Sequence, residues 1–145
     1  MTDCVFCKII AKGEIPSTEV YEDDAVYAFL DINQSSIGHT LVVPKKHYEN
    51  LFDIPDADLG ILGVRVKKVA RAVRDALKAD GINISMNNGR AAGQIVFHAH
   101  LHIIPRFERD ITEQVTHGTH NKERHAYKSG EMAEIASKIR AMFIK

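Results

Sequence analysis

The sequence predicts an α+β fold: an antiparallel sheet of about five short strands, one long helix on one face of it, and short helices near the two ends. Three observations carry this. Leu59, Leu62, Val66, Val69, Val73 and Leu77 recur at three or four residues, the period of one helix face. Several short runs rich in Val, Ile, Tyr and Phe are bounded by Asp, Asn, Gly or Pro, as strands are. In His98-Ala99-His100-Leu101-His102-Ile103-Ile104 histidine alternates with apolar residues. On an extended strand this puts three imidazoles on one face, roughly 6 to 7 Å apart, and a core on the other.

The elements follow in order. Val5, Phe6, Ile9 and Ile10 suit a short amphipathic helix over Cys4 to Lys12, ended by Gly13 and followed by Pro16. Val20 to Glu22 and Ala25 to Leu30 flank Asp23-Asp24 and read as a hairpin. Thr40 to Val43 is a buried strand stopped by Pro44, and Lys45-Lys46 after it is a solvated turn. Asp56 is placed to cap the long helix, which Gly81 stops. Ile82 to Asn87 alternates as a strand, Asn88 to Gly93 is a glycine-punctuated turn, and Val96 to Ile104 is the next strand, ended by Pro105. The histidine row thus lies on one arm of a hairpin. Arg106 to Gly130 has no sustained period and reads as a polar tail. A final helix from about Glu131 to Met142 turns Met132, Ile135, Ile139 and Met142 inward. The 145 residues make one domain over 1–145, with 106–145 as a C-terminal extension.

Apolar content of 45% and charged content of 26% are those of an ordinary globular protein. Lys plus Arg and Asp plus Glu both number 19, so there is no overall field to draw in nucleic acid or an anionic membrane. Arg65, Lys67, Lys68, Arg71 and Arg74 make the long helix basic, but no aromatic platform accompanies them, and they read as a solvated face. No run approaches the ~18 to 20 apolar residues of a membrane span, and the start lacks the pattern of a secretion signal, so a cytoplasmic protein is expected. A sheet this small leaves edges open, which homodimerisation would cover.

The chemistry concentrates on the histidine row. The chain has no G-x-x-x-x-G-K-[ST] loop and no G-x-G-x-x-G after a strand, which excludes two common phosphate cradles. Backbone amides near Gly93 could face an anion beside His100 and His102, with Asn87 and Gln94 as neutral donors. A neutral imidazole attacks phosphorus or a carbonyl without a base to deprotonate it, and His100, with a partner on either side, is the best placed to do so. No Asp or Glu lies between Asn87 and Ile104, which argues against a two-metal hydrolase. Cys4 and Cys7 are the only cysteines and form a C-x-x-C, the spacing of a metal half-site or a redox pair. The sequence offers His47 and His98 as further ligands. His117, His120 and His125 in the tail could take another metal or simply be solvated.

The row His98 to Ile104 matches the histidine-triad pattern H-φ-H-φ-H-φ-φ, with φ apolar. Cys4-Val5-Phe6-Cys7-Lys8-Ile9-Ile10, Tyr21-Glu22-Asp23-Asp24, Phe29-Leu30-Asp31-Ile32, Gly38 to Lys45 and Gly93-Gln94 resemble, in the same order, blocks of the Hint branch of the histidine-triad (HIT) superfamily of nucleotide hydrolases and transferases. The resemblance covers roughly Cys4 to Arg106. It implies a homodimer whose subunits each bind a purine nucleoside monophosphate unit. His100 would be the nucleophile, forming a nucleotidyl-histidine that water hydrolyses, and His98, His100 and His102 the catalytic row. His102, Asn87, Gly93 and Gln94 would surround the α-phosphate, and Asp31 would hold the ribose hydroxyls. Phe6, Ile15, Phe29, Ile32 and Leu41 would wall the base pocket, although ordinary core packing accounts for each alone. His39 matches a histidine near the same site. Members with C-x-x-C imply a structural zinc on Cys4, Cys7, His47 and His98. The implied substrates are adenylyl phosphoramidate or related conjugates, with dinucleoside polyphosphate hydrolysis, or nucleotide-dependent regulation, as alternatives. Hint-like chains often carry a hydroxyl residue after the glutamine, where this chain has Ile95, which leaves the leaving-group preference open.

Overall fold

The computed structural model describes residues 3–111 and 126–143. Its elements are α1 (Val5–Ile10), β1 (Glu19–Glu22), β2 (Val26–Leu30), β3 (Thr40–Pro44), α2 (Asp56–Leu77), β4 (Gly81–Ser85), β5 (Leu101–Arg106) and α3 (Glu131–Ala141). The strands form one antiparallel sheet in the order β1-β2-β3-β5-β4, so β1 and β4 are its edges. No helix among the described residues is long and apolar enough to cross a membrane.

Every residue of β2 and β3 is buried, and the alternation of side chains splits them between two layers. Val26, Ala28, Leu30 and Val42 join Val20, Ala99 and Ile103 under Leu62, Val66, Val69 and Val73 of α2 and Ile135, Ala136 and Ile139 of α3. Tyr27, Phe29, Leu41 and Val43 point to the opposite face, against Phe6 and Ile9 of α1. The site lies on this second face, which α1 covers only in part. On α2, Arg65 bonds Asp23 and the Lys68 ammonium stands 4.9 Å from the Tyr21 ring centre, so part of the basic face is spent on the β1–β2 hairpin.

Several boundaries differ from the sequence reading. β5 begins at Leu101 and passes through Pro105, so His98 and His100 precede the strand and only His102 is in the ladder. The approach is held elsewhere: the Ala99 amide donates to the Tyr48 carbonyl at 2.7 Å. Pro105 lies past the last β3 partner, where a missing amide costs least. α2 is closed by Lys78, left-handed at φ 54°, while Gly81 opens β4, and Pro55 rather than Asp56 is its N-cap. Lys12 at φ 61° reverses the chain after α1, ahead of Gly13. Met142 is exposed, and Phe143 packs instead, 4.7 Å from the Tyr21 ring.

The hairpin turn yields a stability prediction. Asp23 accepts from the amides of Ala25 (2.8 Å) and Val26 (2.9 Å), from the Tyr21 hydroxyl (2.8 Å) and from Arg65. Burial alone would raise its pKa, but these four bonds outweigh it and hold the carboxyl down at about 2. A depressed folded pKa contributes stability above the unfolded value, which is lost as pH falls through the window from about 4 to about 2. Asp23→Asn is expected to lower unfolding free energy by about 1 to 2 kcal/mol at pH 7. In urea titrations across pH, the gap between the two proteins should close below about pH 4. A gap constant down to pH 2 would refute the assignment.

Candidate active site and metal centre

On the sheet face beside α1 a cavity of about 760 Å3 opens. Its walls include Phe6, Ile15, Phe29, Ile32 and Leu41, then Asp31 and His39, then Asn87, Gly93, His100 and His102. Eleven of the residues predicted to surround a nucleotide therefore meet in one place.

The hydrogen bonds fix which nitrogen of each ring carries the proton. His100 Nδ1 lies 2.7 Å from the His98 carbonyl, which only accepts, so Nδ1–H donates and Nε2 keeps its lone pair. The Ser35 amide donates to His39 Nδ1 at 2.9 Å, so neutral His39 carries its hydrogen on Nε2. That Nε2 is 2.9 Å from His102 Nδ1 and 3.7 Å from an Asp31 carboxylate oxygen. His39 therefore donates to His102, and His102 is left with Nε2–H. The row presents one lone pair and, beside it, one donor. The His100 and His102 ring centres are 5.1 Å apart.

Burial lowers the pKa of all three row histidines, most for His98, which falls to about 4 despite its bond to the Pro44 carbonyl. They are neutral near pH 7. Asp31, His39 and His102 also form a group whose ligand atoms lie within 4.8 Å of one another. A cation there would need a lone pair on His39 Nε2, which the Ser35 bond to Nδ1 denies it.

A second cluster lies where α1 starts. Cys4, the N-cap of α1, and Cys7 face His47, after β3, and His98. Both sulfurs approach His98 Nδ1, at 3.4 and 3.5 Å, and Cys7 Sγ is 3.4 Å from His47 Nδ1. Zn–S bonds of about 2.3 Å and Zn–N bonds of about 2.0 Å at tetrahedral angles give an S···N edge of about 3.5 Å, so the donor set fits that metal. His98 Nε2–H donates to the Pro44 carbonyl at 2.8 Å, which turns the Nδ1 lone pair to the sulfurs, the usual outer-shell support of a ligating histidine. Without a cation Cys7 resists ionisation: burial, then Cys4, push its thiol up to about 11. A cation among the four donors would favour the thiolates.

The sequence profile of the HIT domain matches residues 12–109. The chain belongs to the HIT domain family. It is 47% identical over 108 residues to the Arabidopsis thaliana protein named Adenylylsulfatase HINT3, covering 74% of this chain and 54% of that one. A hypothetical histidine triad nucleotide-binding protein from Sulfolobus tokodaii superposes with a TM-score of 0.83 at 40% identity, over 95% of this chain and 90% of that one. A zinc-bound histidine triad family protein from Mycobacterium smegmatis does so with 0.81 at 36%, over 97% and 92%.

The structure sets two of the expected site residues apart from the cavity lining. Gln94 does not line the cavity: its Nε2 donates to the Glu49 (2.6 Å) and Val96 (3.0 Å) carbonyls and its Oε1 accepts from the Gly89 amide at 2.8 Å. With both amide hydrogens committed, it shapes the turn and has none left for a phosphate. His98 does not line the cavity either, because its ring belongs to the cysteine cluster, and it reaches His100 only through its carbonyl. The sequence reading missed the Ser35 amide and the Pro44 carbonyl, since backbone groups have no residue signature. Met132, expected to face inward, packs against the α2–α3 core and also helps wall the cavity. His117, His120 and His125 lie outside the described residues.

Proposed function

We propose that this protein is a nucleotidyl hydrolase or transferase acting on purine nucleotide conjugates of the adenylyl phosphoramidate type, through a covalent nucleotidyl-histidine on His100. The observation that carries the reading is the pairing of a lone pair on His100 Nε2 with an N–H on His102. The first attacks phosphorus while the second donates to the oxygen on which negative charge grows. The His98 carbonyl, holding Nδ1–H, stabilises the positive charge that His100 acquires. Asp31 takes the ribose hydroxyls, Phe6, Ile15, Phe29, Ile32 and Leu41 flank the base, and Asn87 and the Gly93 backbone lie beside the phosphate. The names of the Arabidopsis and Sulfolobus proteins, an adenylylsulfatase and a hypothetical nucleotide-binding protein, agree with this class.

In the same reading Cys4, Cys7, His47 and His98 hold one zinc. Four protein ligands leave no open position, so the metal is structural: it ties α1 to the approach to β5. The zinc-bound Mycobacterium relative supports this. A homodimer is assigned to the outer edge of β4, where Ile84 is exposed. Residues 1–145 form one domain, since α3 shares the core of α2, and its place is the cytoplasm, where the two cysteines stay reduced.

Intact-mass measurement during turnover of a slow adenylyl conjugate tests the route. A species heavier by one adenylyl group is expected in the wild type and absent from His100→Ala. Consumption of the conjugate with no such species at any time would overturn the covalent step.

A further inference from the structure

We propose that Ile95 is a specificity-determining residue that fits the leaving-group end of the cavity to neutral, apolar leaving groups, alkyl or aryl amines and alcohols, rather than to phosphate or sulfate. This deepens the function proposed above and rests on it.

Ile95 lines the cavity yet is 87% exposed, and its neighbours hold it there. Gln94, 3% exposed, is pinned inward by its three hydrogen bonds. Val96, on the other side, packs with Phe6, Phe29 and Leu41. The isoleucine thus presents apolar surface to water between two anchored neighbours, and covering such a surface is favourable by roughly 25 cal/mol per Å2.

The order of elements across the sheet says what covers it. Asp31 and the apolar walls lie at β2, β3 and α1, His100 and His102 lie at β5, and Asn87 and Gly93 come from the connection after β4. A conjugate with its nucleoside over β2 and β3 and its phosphorus at His100 carries its leaving group onward to Ile95. Charge points the same way. Among the described residues Asp31 is the one carboxylate lining the cavity, and no lysine or arginine lines it. A phosphate or sulfate leaving group would bring further negative charge with no lysine or arginine among the described lining residues to meet it, whereas an amine brings none.

In the step itself, the His100 Nε2 pair forms a bond to phosphorus and the bond from phosphorus to the amine nitrogen breaks. That nitrogen takes a proton from water, and the hydroxide so formed then attacks phosphorus and releases His100. The sum is conjugate plus water giving nucleoside monophosphate plus free amine.

The test uses the intact protein and two adenosine 5′-phosphoramidates with chains of equal length and similar basicity, one alkyl and one ether-linked with a terminal hydroxyl, together with adenylyl sulfate and a dinucleoside polyphosphate. Wild type should favour the alkyl amide in kcat/KM by about tenfold over its polar counterpart, as covering some 50 Å2 of isoleucine would give. Ile95→Ser should shrink that ratio to about twofold, while Ile95→Val should retain most of it. An equal ratio in wild type and Ile95→Ser, or a wild type that turns over the sulfate or polyphosphate fastest, overturns this inference while leaving the nucleotidyl-histidine intact. Absence of turnover and of any His100 adduct with every conjugate overturns both.

Discussion

His100→Ala is expected to lower turnover of an adenylyl conjugate at least a thousandfold, with thermal unfolding moved by only a few degrees. The size follows from what else the cavity offers. His102 cannot take over the attack, because its Nδ1 lone pair receives the His39 proton and its Nε2 carries a hydrogen. His98 has no ring nitrogen in the cavity. Among the described residues lining the cavity, the remaining imidazole, His39, has its unprotonated Nδ1 engaged by the Ser35 amide. His102→Ala removes a donor and leaves the nucleophile, so its loss should be smaller, about a hundredfold. Steady-state rates, with circular dichroism to confirm the fold, read both. A His100→Ala variant that keeps a tenth of the activity would remove His100 from the role of nucleophile.

The second large effect concerns the cysteine cluster. Purified without chelator, the protein should hold about one zinc per chain, and Cys4→Ser/Cys7→Ser should hold none and melt about 10 °C lower. Losing a cross-link between chain positions this far apart costs on the order of 3 to 5 kcal/mol, and each kcal/mol is about 2 to 4 °C in a chain of this size. Activity should fall as well, although no cysteine lines the cavity, because the backbone of His98 is what orients His100. Metal analysis and calorimetry on the same samples check this. Unchanged melting in the double variant would mean that the four donors hold no metal that matters to the fold.

Elements whose two faces differ in chemistry were legible in the chain. β2 and β3 alternate between two apolar layers, α2 carries its stripe at helical spacing, and Ala99, Leu101 and Ile103 lie in the α2 layer while His102 lies on the other face. The strand carrying the row was not fully legible. Alternation describes any extended chain, and nothing in Val96 to His100 says that the Ala99 amide bonds to Tyr48 rather than to β4. Lys78 closing α2 was hidden because Gly81 is the more usual residue in a left-handed cap. At the site, residue types pointed to His100 and His102, which line the cavity, and to the grouped Cys4, Cys7, His47 and His98, whereas Asp31 came from the family resemblance. The protons on the rings depend on the Ser35 amide and the His98 carbonyl, groups that every residue has. Gln94 was ambiguous for a related reason: an amide side chain next to a glycine turn can serve a ligand or the turn, and its side chain accepts from the Gly89 amide and donates to the Glu49 carbonyl.

The loop between β2 and β3, which carries Asp31 and leads to His39, is closed on itself by the Asp31 amide donating to the His39 carbonyl at 2.9 Å. It is anchored from outside by the Gly38 amide donating to the Tyr127 hydroxyl at 2.9 Å, across 89 positions of chain. Gly38 has φ 83°, and a Cβ there would stand 2.1 Å from the Leu77 side chain of α2, so this position takes glycine. A chain leaving the ribosome forms its domains from the N-terminus onward. The sheet and both histidine clusters are therefore all synthesised before Tyr127 emerges, and the pocket is finished only when the segment leading into α3 docks.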